Sequence, residues 1–570
     1  MKHVLSQSRR LSRVAKQNRT CFTSLVTYNI ADLFESIVDV VPSRIALVSG
    51  DTQLSYAELE ARANRLAHFL RSRGVGPGHH IGLHLWNGHE FVEAMLAALK
   101  LRAVPINLNY RYVAEELQYL CSNADLVAVL TQSDYATMMH SVAEKVPGLD
   151  TLIVVGAEPG ASLPNGSFDY AEVQRSGLDA RDFGARSGDD LYIIYTGGTT
   201  GKPKGVMWRH EDVFFAGLQG GNPGGAPIER PEQLAANVAA STNPPLTFLP
   251  GAPLIHGAAQ WSVFIGMFGG GRIVLQPGRS FNAQVVAELI EKHKANTLTL
   301  VGDAMARPFV EALTASERKY DMSSLFVVAS AGAVFSPVVR QQIRDVLPHI
   351  LLINSFGSTE AGHQGNAFHG APNETGHEGR PSFMMDPSSN TVFDDQRQRI
   401  EPGSGRIGWL ARSGRLPVGY YKERALTAER FIEAEGKRWV LPGDCATIES
   451  DGRITIFGRG SVCINTGGEK VFPEEIEEIL KSHPAVFDAV VVGVDDARWM
   501  QRVAAVIELR PGSNLTLDDV QAHCRQHAAG YKVPRTLTVV EKVVRSPSGK
   551  PDYAWAKDVA TRESSLAVPA

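Results

Sequence analysis

One stretch constrains the fold more than any other: Tyr195 to Val206, reading YTGGTTGKPKGV. It follows LYII (Leu191 to Ile194), a short apolar run that reads as the end of a buried strand. Gly197, Gly198 and Gly201 let the backbone turn tightly, while Thr196, Thr199 and Thr200 supply hydroxyls. Backbone N–H groups and hydroxyls gathered in this way suit a polyphosphate, because many donors surround the anionic oxygens with no bulky side chain between. Lys202 and Lys204 add positive charge. A Walker A loop is excluded, since Pro203 stands where that pattern needs Ser or Thr and Thr196 where it needs its first glycine. The stretch therefore predicts a strand that delivers a different kind of nucleotide-phosphate loop.

Strand and helix signals alternate before and after it. IADLFESIVDVVPS reads as a helix ended by proline, and Ser55 with Glu58 forms a capping-box signature at the head of the next helix. HHIGLHLWNG, VPINLNY and LVAVL are strand-like, with helical segments HEFVEAMLAALKLRA and VAEELQYLCSNA between them. That alternation argues for an α/β domain with parallel-type sheets. Residues 219 to 245, rich in Gly, Pro and Asn, read as a long loop or peripheral insertion. TLTLVGDAMARPFVEAL, SLFVVASAGAVFS and LLINSFGSTEAG resume the alternation, and the carboxyl ends of parallel strands are where such sheets bind ligands. After RWVLPGDCATIESDGRITIFGRG the pattern becomes that of a small α+β unit.

With 570 residues, more than one core is expected. The reading is a basic extension over 1–28, a large N-terminal domain over 29–458 holding the nucleotide and acid sites, and a small mobile C-terminal domain over 459–570. The extension holds Lys2, Arg9, Arg10, Arg13, Lys16 and Arg19 ahead of the first acidic residue, Asp32, and is assigned no function. A net charge of -4 gives no argument for nucleic acid as a partner. No apolar run approaches the roughly 18 residues of a spanning helix. The scattered cysteines (Cys21, Cys121, Cys445, Cys463, Cys524) show no metal-ligand spacing and fit a reducing, cytoplasmic setting.

Seven ordered stretches carry a family resemblance: YTGGTTGKPKGV, APLIHG (252–257), NSFGSTEAG (354–362), LPGDCA (441–446), DGRITIFGRG (451–460), TGGEKVFPEEIE (466–477) and SPSGK (546–550). Together they resemble the core motifs of adenylate-forming acyl-CoA synthetases, over residues from about 29 to 560. The segments GRGSVCINTGGEKVFPEEIE and RSPSGKPDYAWAK further resemble a subgroup that acts on steroid side chains and related bulky acids.

The resemblance implies a two-step reaction. A carboxylate attacks the α-phosphorus of ATP to give acyl-adenylate and pyrophosphate, and a CoA thiol then takes the acyl group and releases AMP. Thr196, Gly197, Gly198, Thr199, Thr200, Gly201 and Lys204 are expected to hold the phosphates, with Thr199 counted among the catalytic residues. Glu360 is expected to help hold Mg²⁺, a hard cation that prefers oxygen ligands. Ala333, Asn354, Ser355 and Phe356 are expected to face adenine, Gly357 and Thr359 to be among the ATP-binding residues, Ile456 to lie beside the nucleotide, and Asp444 with Arg459 at the ribose. Lys550 is the expected catalytic cation, bridging the attacking carboxylate and the α-phosphate. His256 is expected to gate the acyl pocket and the CoA channel. Trp261, Gly302, Gly332 and Gly357 are expected to line the acyl pocket, together with the cluster Gly269 to Gly271. Gly467, Gly468 and Lys470 are expected along the thiol channel, and Ser461 at the hinge, where the family more often has Asp or Lys. An apolar or bulky acid is the expected substrate. The resemblance leaves open a homodimer, a carrier protein as alternative acceptor, and a member that performs only one half-reaction.

Overall fold

The computed structural model describes residues 26–196, 202–315, 318–368, 380–466, 469–496, 499–546 and 549–566. The first helix, Ile30–Val40, starts where Asn29 turns its side-chain oxygen onto the Ala31 N–H at 2.9 Å. The helix Tyr56–Ser72 carries the capping box expected from its sequence: Ser55 accepts from the Glu58 N–H, and Glu58 accepts from the Ser55 N–H.

Two parallel sheets build the large domain. In one, Ile45–Ser49, Arg272–Leu275, Thr247–Pro250, Thr297–Leu300, Val327–Ala331 and Leu351–Ser358 lie side by side in parallel. In the other, Val104–Asn107, His80–His84, Leu126–Gln132, Thr151–Val155 and Phe168–Asp169 do the same. Beyond Leu351–Ser358 the ladder turns antiparallel, through Gly362–Phe368 and Ser382–Met385 to the hairpin Asp444–Ile448 and Ile454–Arg459. The sequence reading of parallel-type sheets thus covers the first part of this domain only; its last part is an antiparallel extension. A third, small antiparallel sheet joins Leu191–Thr196, Lys204–Arg209 and Gly419–Tyr420.

The smaller C-terminal unit has its own sheet. Val486–Asp496, Met500–Leu509 and Thr536–Val540 form its centre, with Ile464–Thr466 and Glu469–Val471 at one edge. The helices Pro473–Ser482 and Leu517–Arg525 cover one face through Ile476, Leu480, Val520 and Cys524. The helix Tyr553–Leu566 covers the other through Ala556 and Ala560.

Two sequence expectations need correction. Residues 219–245 are not simply a loop, because Glu232–Ala240 is a helix that packs beside Ile30–Val40 and buries Leu234 and Val238. The cluster Gly269 to Gly271 does not line an acid pocket at His256. It follows the helix Gly257–Phe268, whose 12 residues rise about 18 Å from His256. There its carbonyls accept from Arg44 (Gly270, 2.9 Å) and Tyr56 (Gly271, 2.8 Å).

Candidate active site

The strand Leu191–Thr196 pairs with Lys204–Arg209 so that Thr196 stands opposite Lys204. Gly197, Gly198, Thr199, Thr200 and Gly201 lie outside the described residues. The base of the hairpin is clamped by a residue that sequence reading passed over. Asn107, at the end of its parallel strand, accepts from the Tyr195 N–H and donates to the Tyr195 carbonyl, both at 2.8 Å. The same amide donates to the Ile255 carbonyl at 2.7 Å, tying the phosphate-loop strand to the residue before His256.

His256 heads the helix Gly257–Phe268, and its Nε2 is buried without a hydrogen-bond partner among the described residues. Burial, assisted by Lys550 and Arg111, pulls its pKa to about 3 and keeps the ring neutral. Trp261 lies against Gly257 one turn further along. Gly302, Gly332 and Ala333 are brought together by a small backbone knot. The Gly302 N–H donates to Ser330 Oγ, the Asp303 N–H to the Val334 carbonyl, and the Ser336 N–H to Asp303 Oδ1, at 2.8 to 2.9 Å.

Asn354, Ser355, Phe356 and Gly357 follow one another along Leu351–Ser358, and Ser355 Oγ donates to Asn366 at 2.8 Å. Phe356 packs on Phe383 (5.2 Å between ring centres) beside the cluster that includes Ile456. The strand then turns back at Ser358 to Gly362, presenting Thr359 and Glu360. Gly362 has φ +70°, and a Cβ there would stand 2.7 Å from the Ala216 carbonyl, so the turn requires glycine.

Asp444 and Arg459 face each other across their hairpin, with Nε to Oδ1 at 3.1 Å. Arg459 also donates to the Pro442 carbonyl at 2.6 Å. Burial raises the Asp444 pKa, against the opposing charges of Arg459 and Lys550.

Lys550 arrives from the C-terminal unit on a tight turn in which the Ser546 N–H donates to the Lys550 carbonyl at 2.8 Å. Arg545 braces that turn, pairing with both oxygens of Asp488 at 2.5 and 2.6 Å and donating to the Gly549 carbonyl at 2.9 Å. Lys550 remains accessible to solvent, yet enough protein surrounds its ammonium to lower its pKa. Arg459 adds to that lowering, while Glu360 and Asp444 oppose it. The structure thus brings Lys550, Glu360, Asp444 and Arg459 within electrostatic reach of one another, and His256 within reach of Lys550. Gly467 and Gly468 lie outside the described residues, as do the side chains of Lys470 and Ser461. Lys470 stands opposite Asn465 in the edge hairpin of the small unit.

Ion pairs cross between the two units. Arg380 pairs with Glu475 at 2.5 Å, Arg510 with Glu311 at 3.1 Å, and Lys481 approaches Asp303 at 3.8 Å. Three further residues at the site also escaped sequence reading. Trp208 donates its indole N–H to the Thr359 carbonyl at 2.9 Å, Tyr420 its phenol to Glu360 Oε1 at 3.3 Å, and Glu474 accepts from the Arg459 N–H at 3.4 Å. Their only sequence signal is position: Trp208 lies two residues past YTGGTTGKPKGV, Glu474 lies within TGGEKVFPEEIE, and Tyr420 falls in VGYYKERAL, between NSFGSTEAG and LPGDCA.

The family model described as AMP-binding enzyme matches residues 34–414, and that of the AMP-binding enzyme C-terminal domain matches 475–550. The chain is 47% identical over 539 residues to a 3-oxocholest-4-en-26-oate–CoA ligase of Rhodococcus rhodochrous, covering 93% of this chain and 95% of that protein. It is 45% identical to a medium/long-chain-fatty-acid–CoA/3-oxocholest-4-en-26-oate–CoA ligase of Mycolicibacterium smegmatis, covering 93% and 96%. Among solved structures, the anthranilate CoA ligase AuaEII in complex with anthranoyl-AMP matches with a TM-score of 0.80 at 22% identity, covering 95% and 99%, and supports the fold. A family model matching well over half of the chain, and relatives this similar along nearly all of it, show that the chain belongs to the AMP-binding enzyme family and is an AMP-forming acyl-CoA ligase that uses ATP, Mg²⁺ and CoA.

Proposed function

We propose that this ligase activates a bulky or long apolar acid, of the steroid side-chain or medium- to long-chain fatty class, with the residues above in defined roles. The observation that carries the role assignment is the convergence of Lys550 from the small unit with Glu360 and Asp444 from the large one and Arg459 at the boundary between them. The substrate class rests on the similarity to ligases named for 3-oxocholest-4-en-26-oate and fatty acids.

In the adenylation step, Thr196, Lys204 and the glycine-threonine stretch hold the phosphates. Glu360 offers carboxylate oxygen, a donor type that fits Mg²⁺, and would help hold that cation, whose charge when bound would offset that of the pyrophosphate leaving group. Asp444 accepts from the ribose hydroxyls, with Arg459 holding its carboxylate in place. Phe356 and Ile456 give the nucleotide an apolar wall. Lys550 stabilises the charge that builds up as the carboxylate attacks the α-phosphorus, an interaction worth most in the transition state. His256, neutral and without a described partner at Nε2, closes the acid side. We further propose that the small unit, the chain beyond Ser461, then turns about that residue. That turn withdraws Lys550 and brings the 466–470 loop to the thiol path.

Mass spectrometry of products from the enzyme, Mg-ATP, CoA and a panel of fatty, aromatic and steroid acids tests this reading. A new acyl-CoA from a steroid or long-chain acid, with AMP in equal amount, is expected. Thioester formation confined to small aromatic acids overturns the substrate class, and acyl-adenylate without thioester points to a carrier protein as acceptor. All three substrates are met in the cytoplasm, where we take the enzyme to act, and sedimentation of the pure protein decides between monomer and homodimer.

A further inference from the structure

The turn that carries Glu360 is fixed along its main chain from several directions. The Trp208 indole donates to the Thr359 carbonyl at 2.9 Å, and Trp208 is fully buried. The Arg412 guanidinium donates to the carbonyls of Ala361 and His363. The Ala361 N–H donates to Ser358 Oγ at 3.1 Å. These bonds hold the backbone but leave the Glu360 carboxylate to its own torsions. The terminal torsion of a glutamate is broad, so a fixed backbone does not by itself aim the carboxylate.

Among the described residues, one hydrogen bond acts on the carboxylate itself, that from the Tyr420 phenol to Glu360 Oε1 at 3.3 Å. Tyr420 is well placed to be rigid. It is 8% exposed, its ring packs edge-on against Phe431 with 6.0 Å between centres, and its N–H donates to Thr427 Oγ1 at 2.9 Å. Its short strand pairs with Lys204–Arg209, Tyr420 standing opposite Val206, and the flanking N–H groups of Val418 and Tyr421 donate to Met207 and Gly205. The strand that leaves the phosphate loop is therefore the strand on which Tyr420 is mounted.

We propose that Tyr420 is a positioning residue for the metal-binding carboxylate, aiming Glu360 from the same small sheet that holds the phosphate loop. By occupying one oxygen, the phenol selects one orientation of the carboxylate before the cation arrives. Because Tyr420 and Lys204 ride on paired strands, the cation ligand and the phosphate grip keep a fixed relation. Partners of this kind behind a metal ligand are worth roughly 10- to 100-fold in metal affinity. The proposal rests on the reading of Glu360 as the Mg²⁺ ligand.

The test compares Tyr420→Phe and Glu360→Gln with the unaltered enzyme by calorimetry in the absence of any acid substrate. ATP binding is titrated with Mg²⁺ and with EDTA, and AMP binding is titrated separately. Phenylalanine keeps the contact with Phe431, so the fold is retained. Tyr420→Phe is expected to bind AMP and metal-free ATP normally while losing roughly tenfold of the affinity that Mg²⁺ adds to ATP. Glu360→Gln is expected to lose that increment almost entirely. An undiminished increment in Tyr420→Phe, alongside its loss in Glu360→Gln, overturns the positioning role. Equal weakening of AMP and Mg-ATP in Tyr420→Phe also overturns it, because a general packing defect then explains the result. An undiminished increment in Glu360→Gln overturns the metal assignment itself, and the proposal with it.

Discussion

Asn107 pairs with Tyr195 as a strand would, accepting from its N–H and donating to its carbonyl, both at 2.8 Å. A side chain thus does the work of a ladder at the point where the backbone must leave the sheet to form the phosphate loop. Its third bond, to the Ile255 carbonyl, sets that loop against His256. Asn107→Ala would leave those three buried main-chain groups without their partner, at a cost of about 1–3 kcal/mol for each group that stays unpaired. A fall in melting temperature is expected, with a rise in KM for both ATP and the acid, since both sites hang from the same amide. A variant with altered stability but unchanged KM values would reduce Asn107 to a core residue.

The Lys550 turn lets the two half-reactions be separated. Lys550→Ala is expected to lower acyl-adenylate formation by two orders of magnitude or more, in the range seen for loss of a preorganised electrostatic group. Thioester formation from supplied acyl-adenylate should change by only a few fold. Gly549→Ala should act in the same direction, because Gly549 has φ +72° and an added Cβ would stand 3.2 Å from Ala304 Cβ and 3.3 Å from the Val301 carbonyl. Stopped-flow release of pyrophosphate and quenched thioester assays read the two steps. Equal loss in both steps would show that the turn serves general packing instead of the docked pose.

Buried histidines predict how the fold responds to acid. Burial lowers the pKa of His84 and His210 to about 4 and of His256 to about 3. His210 Nδ1 accepts the Ile30 N–H at 3.2 Å, which a proton on that nitrogen would forbid. Each folded pKa lies below the unfolded value of 6.5, so the unfolded chain takes up protons first. The stabilisation is complete above pH 6.5 and is lost as pH falls toward the folded values, by up to about 1.4 kcal/mol per histidine per pH unit. Melting curves from pH 7.5 to 5 should shift steadily downward. A melting temperature flat across that interval would contradict the assignment.

Much of this site could be read from the sequence because it is built from contiguous motifs. A glycine-threonine turn, the STE turn and SPSGK each carry their chemistry within a few residues, and a capping box such as Ser55 with Glu58 is local by nature. The parts that escaped are joined through space. Asn107 lies 88 residues from Tyr195, and Tyr420 lies 60 from Glu360, so no spacing rule connects them. The helix Glu232–Ala240 was hidden by the glycine and proline residues around it, although its own residues, EQLAANVAA, are good helix formers. Gly269 to Gly271 looked like a ligand-facing cluster only because the sequence does not show that a helix carries them away from His256.

Glu474 predicts that docking of the small unit depends on pH. Its carboxylate is folded under the hairpin: Oε1 accepts the Arg459 N–H at 3.4 Å, and Oε2 is buried without a partner among the described residues. Gly458 makes room for it, since a Cβ there would stand 2.4 Å from Oε2. The charged and titratable groups facing it are Glu477 on its own helix, Asp444 and Arg459 on the hairpin, and Tyr553 on the last helix. Burial, and then the charge of Glu477, raise its pKa from 4.5 to about 8. A carboxyl with a raised pKa favours the docked state fully below 4.5, progressively less as pH rises to 8, and does not change it further above that. Arg459 precedes Ser461 by two residues, so the proposed rotation about Ser461 would break the contact and expose the acid to water. Energy transfer between dyes on the two units should therefore report less docking as pH rises from 5 to 8. Glu474→Gln, which stays neutral, should flatten that dependence and slow release of the small unit after adenylation. An identical pH profile in enzyme and variant would remove Glu474 from the hinge and leave the docking equilibrium to Arg380, Arg510 and their partners.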